Sequence, residues 1–199
     1  MTLTGYRIRT ISAEELSAYC EISIGFSGDT LLEPRHLQEG LGGIALEERV
    51  VEPFYRDYDQ LESPLVWPQS FDTSKWIFYL AVSGNRPVGG ATLALRTRGL
   101  RMLEGKEDLA CLWDIRVDPG WRGRGIGTQL FQRAARDAAR LGCTWMKVET
   151  QNTNVAANRF YQGQGCRLGQ IHIHAYYDQP RSQDEVMLIW YFPLDGASA

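Results

Sequence analysis

The sequence predicts a mixed α/β fold, and three stretches carry that prediction. Trp76 to Val82 and Val88 to Leu95 are apolar runs around the turn residues Ser83, Gly84, Asn85, Arg86 and Pro87, which is the pattern of a hairpin. A strand-like run, Leu109 to Val117, then passes through a glycine-rich loop into the best-defined helical pattern of the chain. Finally, strand, helix and two more strands follow one another between Thr144 and Phe192. With 199 residues, 44% of them apolar, the chain can bury a core as one domain spanning 1–199.

Each element can be justified in order. Tyr6 to Ile11 alternates as a short strand, and Ser12 with Glu15 three residues on forms a capping box that opens a first helix. Gly25 to Gly43, with several glycines and Pro34, reads as irregular. Ala45 to Leu61, charged, aromatic and interrupted by Pro53, reads as one or two short helices, and Pro64, Pro68 and Ser70 mark a loop after it. Beyond the hairpin and the Leu109 to Val117 strand, Ile126, Leu130, Ala134, Ala138 and Leu141 recur at helical spacing. Arg133, Arg136, Asp137 and Arg140 take the other side, and Gly142 stands where a left-handed cap belongs. Thr144 to Glu149 is the next strand, Asn154 to about Gln164 a helix, and two strands lie near Cys166 to Ala175 and Glu185 to Phe192. The tail Asp195 to Ala199 is expected to fray.

Composition excludes several classes. A net charge of −3 gives no electrostatic reason for a nucleic-acid partner. No apolar run approaches the roughly 20 residues of a membrane helix, so a soluble protein without a membrane partner is expected. Cys20, Cys111, Cys143 and Cys166 show neither CxxC pairs nor metal-ligand spacing, and no signal peptide precedes them, which points to a reducing cytoplasm. His172 and His174 sit two apart on a strand, but no third ligand accompanies them and no metal is expected.

The chemistry is concentrated in IRVDPGWRGRGIGT, Ile115 to Thr128. Successive glycines let backbone N–H groups converge on an anion, and a helix start adds unpaired donors and the positive dipole end. A Walker loop needs Lys and then Ser or Thr after its last glycine, whereas Gly127 is followed by Thr128 and Gln129. A Rossmann fingerprint needs a glycine at Thr128 or Leu130 and also fails. The spacing that fits is Arg or Gln, two residues, Gly, one residue, Gly or Ala, met by Arg122, Gly125 and Gly127. In its strand-loop-helix setting, and with NVAANRFYQGQGC downstream from Asn154 to Cys166, this closely resembles the GNAT N-acetyltransferase superfamily. VETQ at Val148 to Gln151 and the Ile189 to Phe192 ending make the resemblance strongest to its streptothricin acetyltransferase branch. Cys166, where an aromatic usually follows the glycine, and the long loop Arg96 to Asp108 depart from the family pattern.

The resemblance implies a mostly antiparallel central sheet flanked by helices, with a cofactor core at about 76–192 and an acceptor side at about 20–75. It implies acetyl-CoA as cofactor, its pantetheine arm pairing with the strand segment Ile115, Arg116 and Val117. Ile115 and Val117 project to one face there, Asp114 and Arg116 to the other. The pyrophosphate falls to Arg122, Gly123, Arg124, Gly125, Ile126, Gly127 and Thr128. Asn154, Asn158 and Tyr161 stand at i, i+4 and i+7 of one helix, so the two asparagines reach the arm and Tyr161 the sulfur. With an ordinary pKa of about 10, Tyr161 is protonated at neutral pH and can act as general acid, although an aromatic beside Phe160 also reads as a packing residue. Glu149 and Asp114 are equal candidates for the base, and an ordinary carboxylate pKa of about 4 suits that role only if burial raises it.

The expected reaction is acetyl transfer to the primary amine of a small cationic acceptor, streptothricin-like in the leading reading, which would inactivate an antibiotic. A protein, peptide or polyamine amine is the alternative acceptor, and a non-catalytic acyl-CoA-binding regulatory domain the alternative class. The intact loop with Asn154 and Tyr161 favours catalysis. Between Glu47 and Glu62 six acids (Glu47, Glu48, Glu52, Asp57, Asp59, Glu62) face two bases (Arg49, Arg56), as in a mouth that attracts a cation or in a solvated helix face. The superfamily's habit is compatible with a homodimer through the late strands and a Trp190 to Phe192 edge.

Overall fold

The computed structural model describes residues 5–180 and 182–194. In chain order the elements are β1 (Arg7–Ile11), α1 (Leu16–Tyr19), β2 (Phe26–His36), β3 (Ile44–Arg56), α2 (Trp67–Ser70), β4 (Ile77–Ser83), β5 (Arg86–Leu95), β6 (Leu109–Val117), α3 (Ile126–Arg140), β7 (Trp145–Gln151), α4 (Val155–Gly163), β8 (Arg167–His172) and β9 (Met187–Pro193). They fall into two compact units. The first takes the residues up to Gly25, Asp57–Val148 and those from Phe192 on; the second takes Phe26–Arg56 and Glu149–Tyr191. Neither unit coincides with the stretches 20–75 and 76–192. The fold is α/β with a mixed, mostly antiparallel sheet, as expected.

In the first unit the strand order is β1, β4, β5, β6, β7. All neighbours run antiparallel except β6 and β7, whose parallel ladder covers only Leu109–Cys111 against Trp145–Lys147. The β5–β6 register shifts once, from Leu93 opposite Leu112 to Thr92 opposite Asp114, which leaves Trp113 as the extra residue of a bulge. The expected capping box is present, with Glu15 accepting from the Ser12 N–H at 3.1 Å. Where a loop was expected, Ser63 caps Pro64–Val66 as a 3-10 turn that runs into α2, because proline at a helix start forfeits only a donor that has no partner there.

The two faces of β5 are pressed from opposite sides. A Cβ at Gly89 would lie 2.7 Å from the Ile126 side chain of α3, and one at Gly90 would lie 2.4 Å from the Tyr19 ring. Successive strand residues point to opposite faces, so this glycine pair admits α3 on one and the residues around α1 on the other. On the α1 face the core is aromatic: Tyr19, Trp67, Trp76 and Phe78 are buried, with Phe71 and Trp113 packed against them. On the other face α3 buries Ile126, Leu130, Ala134 and Ala138 as expected, and also Phe131 and Ala135. Leu141, expected in this stripe, is 40% exposed, since α3 ends at Arg140. Gly142 at φ +85° turns the chain there, its N–H donating to Ala139 and that of Cys143 to Ala138.

The second unit holds the main departures from expectation. Gly25 to Gly43 is not irregular throughout, and in Ala45 to Leu61 only Tyr58–Gln60 is helical, a single 3-10 turn, for β2 and β3 form a long antiparallel hairpin, Phe26 opposite Arg56 through His36 opposite Ile44. Few of its residues are buried, so no apolar alternation marks the strands. Diagonal charge pairs, Arg35 with Glu47 at 3.1 Å and Arg49 with Glu33 at 3.3 Å, stand in for it. Pro53 sits where the ladder register breaks, between the Val50 and Phe54 pairings, which is where a strand tolerates the missing donor. β2 also exchanges bonds with Asn152, the Leu32 N–H donating to its carbonyl and its side-chain amide donating to the Leu32 carbonyl. In this unit β9 lies between β7 and β8, so Trp190 to Phe192 is not an edge; β8 is the outer strand. β8 ends at His172 rather than Ala175, and the tail Asp195 to Ala199 lies outside the described residues. Among the described residues no helix is long and apolar enough to cross a membrane, and all four cysteines are free thiols.

The Tyr19 ring is fully buried and cannot retreat from a new methyl group. Gly90→Ala should therefore cost about 1–3 kcal/mol of stability in urea unfolding, and an unchanged midpoint would refute the close approach.

Candidate active site

The glycine loop is built from its two ends. β6 stops at Val117, and the Asp118 carboxylate accepts from the Gly120 N–H at 2.9 Å, starting the turn Pro119–Trp121. Gly123 and Gly125 follow at φ +76° and +78°, and a Cβ at either would meet nothing within 4 Å. Glycine is thus required there by backbone conformation rather than by crowding. Gly125 is the N-cap of α3 and brings no side-chain cap, so the first turn of that helix depends on an outside acceptor. The Arg124 guanidinium lies 4.7 Å over the Trp121 ring. That of Arg122 donates to the Val117 carbonyl at 3.1 Å and the Gly25 carbonyl at 3.0 Å. Left-handed glycines, an uncapped helix start and flanking guanidinium groups fit the pyrophosphate of a coenzyme A. Ile126 has only its main chain left to offer, since its side chain is buried against β5.

Among the described strands β6 is paired past Cys111 with β5 alone, and an edge of that kind can pair with an extended amide-bearing arm. Ile115 and Val117 are half-buried, while Asp114 and Arg116 are buried on the opposite side. There Asp114 accepts from Arg116 Nε at 2.9 Å and Nη2 at 2.7 Å, and from the Tyr19 hydroxyl. Arg116 Nη1 donates to Asp59 at 2.8 Å and to the Ile22 carbonyl at 3.1 Å. Burial opposes the charge of Arg116, but the charge and hydrogen bonds of Asp114 outweigh it and hold the guanidinium protonated. Burial, followed by the Asp114 charge, pushes the Tyr19 hydroxyl well above its ordinary value, so it remains a donor. The Arg116 side chain is thus spent on the network, leaving only its main chain for an arm, and both oxygens of Asp114, a candidate base, are engaged in it. Tyr19 and Ile22 left no signal in the sequence and Asp59 read only as one of an acid run, because each meets β6 only through the fold.

The other candidate residues singled out in the sequence lie in the second unit. Asn154 caps α4, its side-chain oxygen accepting from the Ala157 N–H at 3.0 Å. Asn158 is 3% exposed and does not present a free amide, contrary to expectation. Its nitrogen donates to the Gln151 and Asn154 carbonyls, both at 2.9 Å, and its oxygen accepts from the Trp190 indole at 2.8 Å. Tyr161 is buried on the same helix, its ring edge-on to Phe160 at 5.4 Å. Glu149 accepts from the Tyr176 hydroxyl at 2.6 Å, and that oxygen accepts in turn from the Gln151 amide at 2.9 Å. Buried Glu185, also missed in the sequence, accepts from Arg56 and Thr153. The acid run Glu47 to Glu62 is no helix face: Glu47, Glu48 and Glu52 are on β3, whereas Asp57, Asp59 and Glu62 belong to the first unit. Burial raises the Glu62 carboxyl above its ordinary value. Among the described residues no group of three or more His, Cys, Asp or Glu could hold a metal ion, and His172 and His174 are exposed.

A profile of the acetyltransferase (GNAT) family matches residues 43–166, through the glycine loop and α4. The chain belongs to the GNAT acetyltransferase family. It is an acetyl-CoA-dependent N-acetyltransferase. It is 23% identical over 146 residues to streptothricin acetyltransferase A of Bacillus subtilis, covering 73% of this chain and 77% of that protein. To a streptothricin acetyltransferase of Escherichia coli it is 32% identical over 85 residues, 43% of this chain and 49% of that one. The crystal structure of a nourseothricin acetyltransferase superposes with a TM-score of 0.74 at 24% identity, covering 96% of this chain and 99% of the other. A Bacillus anthracis protein assigned as a streptothricin acetyltransferase, solved with acetyl coenzyme A, gives the same TM-score and identity over 95% of this chain and 99% of that chain. At this identity the superpositions establish the fold.

Removing the cation from the buried network while two carboxylates stay should be severe. Arg116→Met is expected to lower unfolding free energy by about 3–5 kcal/mol, and a loss near zero in urea titration would show that the network carries no stability.

Proposed function

We propose that the acceptor is a small cationic molecule of the streptothricin type, acetylated on a primary amine, with inactivation of such an antibiotic in a reducing cytoplasm as the biological result. The observation that carries the cofactor half is the glycine loop, two left-handed glycines leading into an uncapped helix. For the acceptor, the support is the likeness to streptothricin and nourseothricin acetyltransferases.

Acetyl-CoA, when bound, supplies a thioester carbonyl open to attack and a thiolate leaving group. The chain's own residues then divide the work. Main-chain groups of Ile115, Arg116 and Val117 hold the pantetheine arm, and Arg122, Gly123, Arg124, Gly125, Ile126, Gly127 and Thr128 make up the pyrophosphate loop. The Asn154 side-chain amide orients the arm, and Asn158 fixes α4 from within. Tyr161 donates the proton that the departing thiolate needs. Glu149 is the better candidate to take the amine proton, because Asp114 is locked by Arg116 and Tyr19.

A thiol-release assay with acetyl-CoA and a panel of streptothricin, free lysine, polyamines and basic peptides should show streptothricin turned over with the highest kcat/KM. Acetyl-CoA binding without acetylation of any amine would favour a regulatory role instead. Tyr161→Phe should lower kcat by about 100-fold or more while leaving the acetyl-CoA Kd unchanged, and an undiminished rate would remove Tyr161 from the mechanism.

A further inference from the structure

Arg122 reads in the sequence as a cation for the pyrophosphate, yet its guanidinium is already occupied along the main chain. Nε donates to the carbonyl of Val117, the last residue of β6, at 3.1 Å, and Nη2 donates to the carbonyl of Gly25 at 3.0 Å. Both ends of that brace are themselves held. Val117 lies in the β5–β6 ladder opposite Gly89. The segment ending at Gly25 is fixed by buried Ile22, whose carbonyl takes a bond from Arg116 at 3.1 Å, and by the Gly25 N–H donating to the Ser23 hydroxyl at 3.1 Å. The glycine loop, by contrast, has no neighbour within 4 Å where a side chain would stand at Gly123 or Gly125. A loop with two glycines has many backbone states, and its N–H groups converge only if its ends are fixed. α3 fixes one end, and the Arg122 fork fixes the other. Among the described residues Arg124 makes no such bond, and its guanidinium rests on the Trp121 ring.

We propose that Arg122 is a positioning residue: it braces the glycine loop between Gly25 and Val117 so that the loop's N–H groups point together, while the charge contact with the pyrophosphate falls to Arg124. A planar fork suits this task, because it serves two carbonyls at fixed angles where an ammonium is a point charge. The proposal rests on the loop being the acetyl-CoA site.

Two measurements separate bracing from charge pairing. The first is amide hydrogen exchange over Gly123 to Thr128 in the cofactor-free protein; the second is the acetyl-CoA Kd as a function of ionic strength. Arg122→Ala should speed exchange across the loop about tenfold and weaken acetyl-CoA about tenfold, with the salt dependence of binding unchanged. Arg124→Gln should leave exchange as it was and flatten the salt dependence. Exchange unaltered by Arg122→Ala would overturn the proposal, as would a flattened salt dependence in that variant. If Arg122→Ala does not fold, Arg122→Gln is read by the same two measurements and the same criteria. Failure of the unsubstituted protein to bind acetyl-CoA would instead reject the cofactor reading, and the exchange arm would still decide the brace.

Discussion

The pairing of Asp114 with Arg116 inside the first unit is the interaction on which the candidate site depends. Two charges on one strand, two residues apart, are buried against Tyr19 and satisfied from several directions. Desolvation of such a pair is costly, and only dense hydrogen bonding offsets it. The arrangement gains connectivity: Arg116 gathers the segment that follows α1 at Ile22, the turn at Asp59 and the strand that leads to the glycine loop. The opposite side of the same strand segment is then left to half-buried Ile115 and Val117, whose main chain is the expected partner of the pantetheine arm. A stiff strand is what a flexible arm needs if pairing is not to cost ordering on both partners.

The glycine loop illustrates a division between backbone and side chain. The anion binding proposed for it would use N–H groups, which any sequence possesses, in conformations that only glycine adopts cheaply. Side chains around it serve chiefly as supports: Asp118 shapes the entry turn, Ile126 buries the helix start, and Arg122 ties the entry to two carbonyls. The same logic holds in the second unit, where Asn158 spends its whole amide on two carbonyls and an indole.

Legibility in the sequence followed burial. β6, the glycine loop, α3 and α4 were readable because half-buried elements must alternate or recur at helical spacing, and because glycine and cap residues have few substitutes. The β2–β3 hairpin was not, since its strands are largely exposed and carry charges such as Glu47 and Arg49 where an apolar alternation would have shown them. Spacing along α4 put Asn158 and Tyr161 on one stripe, but could not reveal that the structure would bury Asn158 or that Trp190 would claim its oxygen. The partners of Asp114 were equally hidden: Tyr19 is 95 residues away, and no local pattern encodes a contact made by folding.

Trp113, the extra residue in β6, has a consequence of its own. Before it, Cys111 belongs to the aromatic core around Tyr19; after it, Asp114 and Arg116 meet that same ring. Odd and even positions have therefore exchanged sides across a single residue. The bulge acts on the strand as a frameshift acts on a message, leaving the letters intact while changing which of them are read on each face. Were the strand regular, Ile115 and Val117 would be carried to the Tyr19 side and the charged pair to the other. One inserted tryptophan thus decides which side of β6 is ionic and which is left for a ligand.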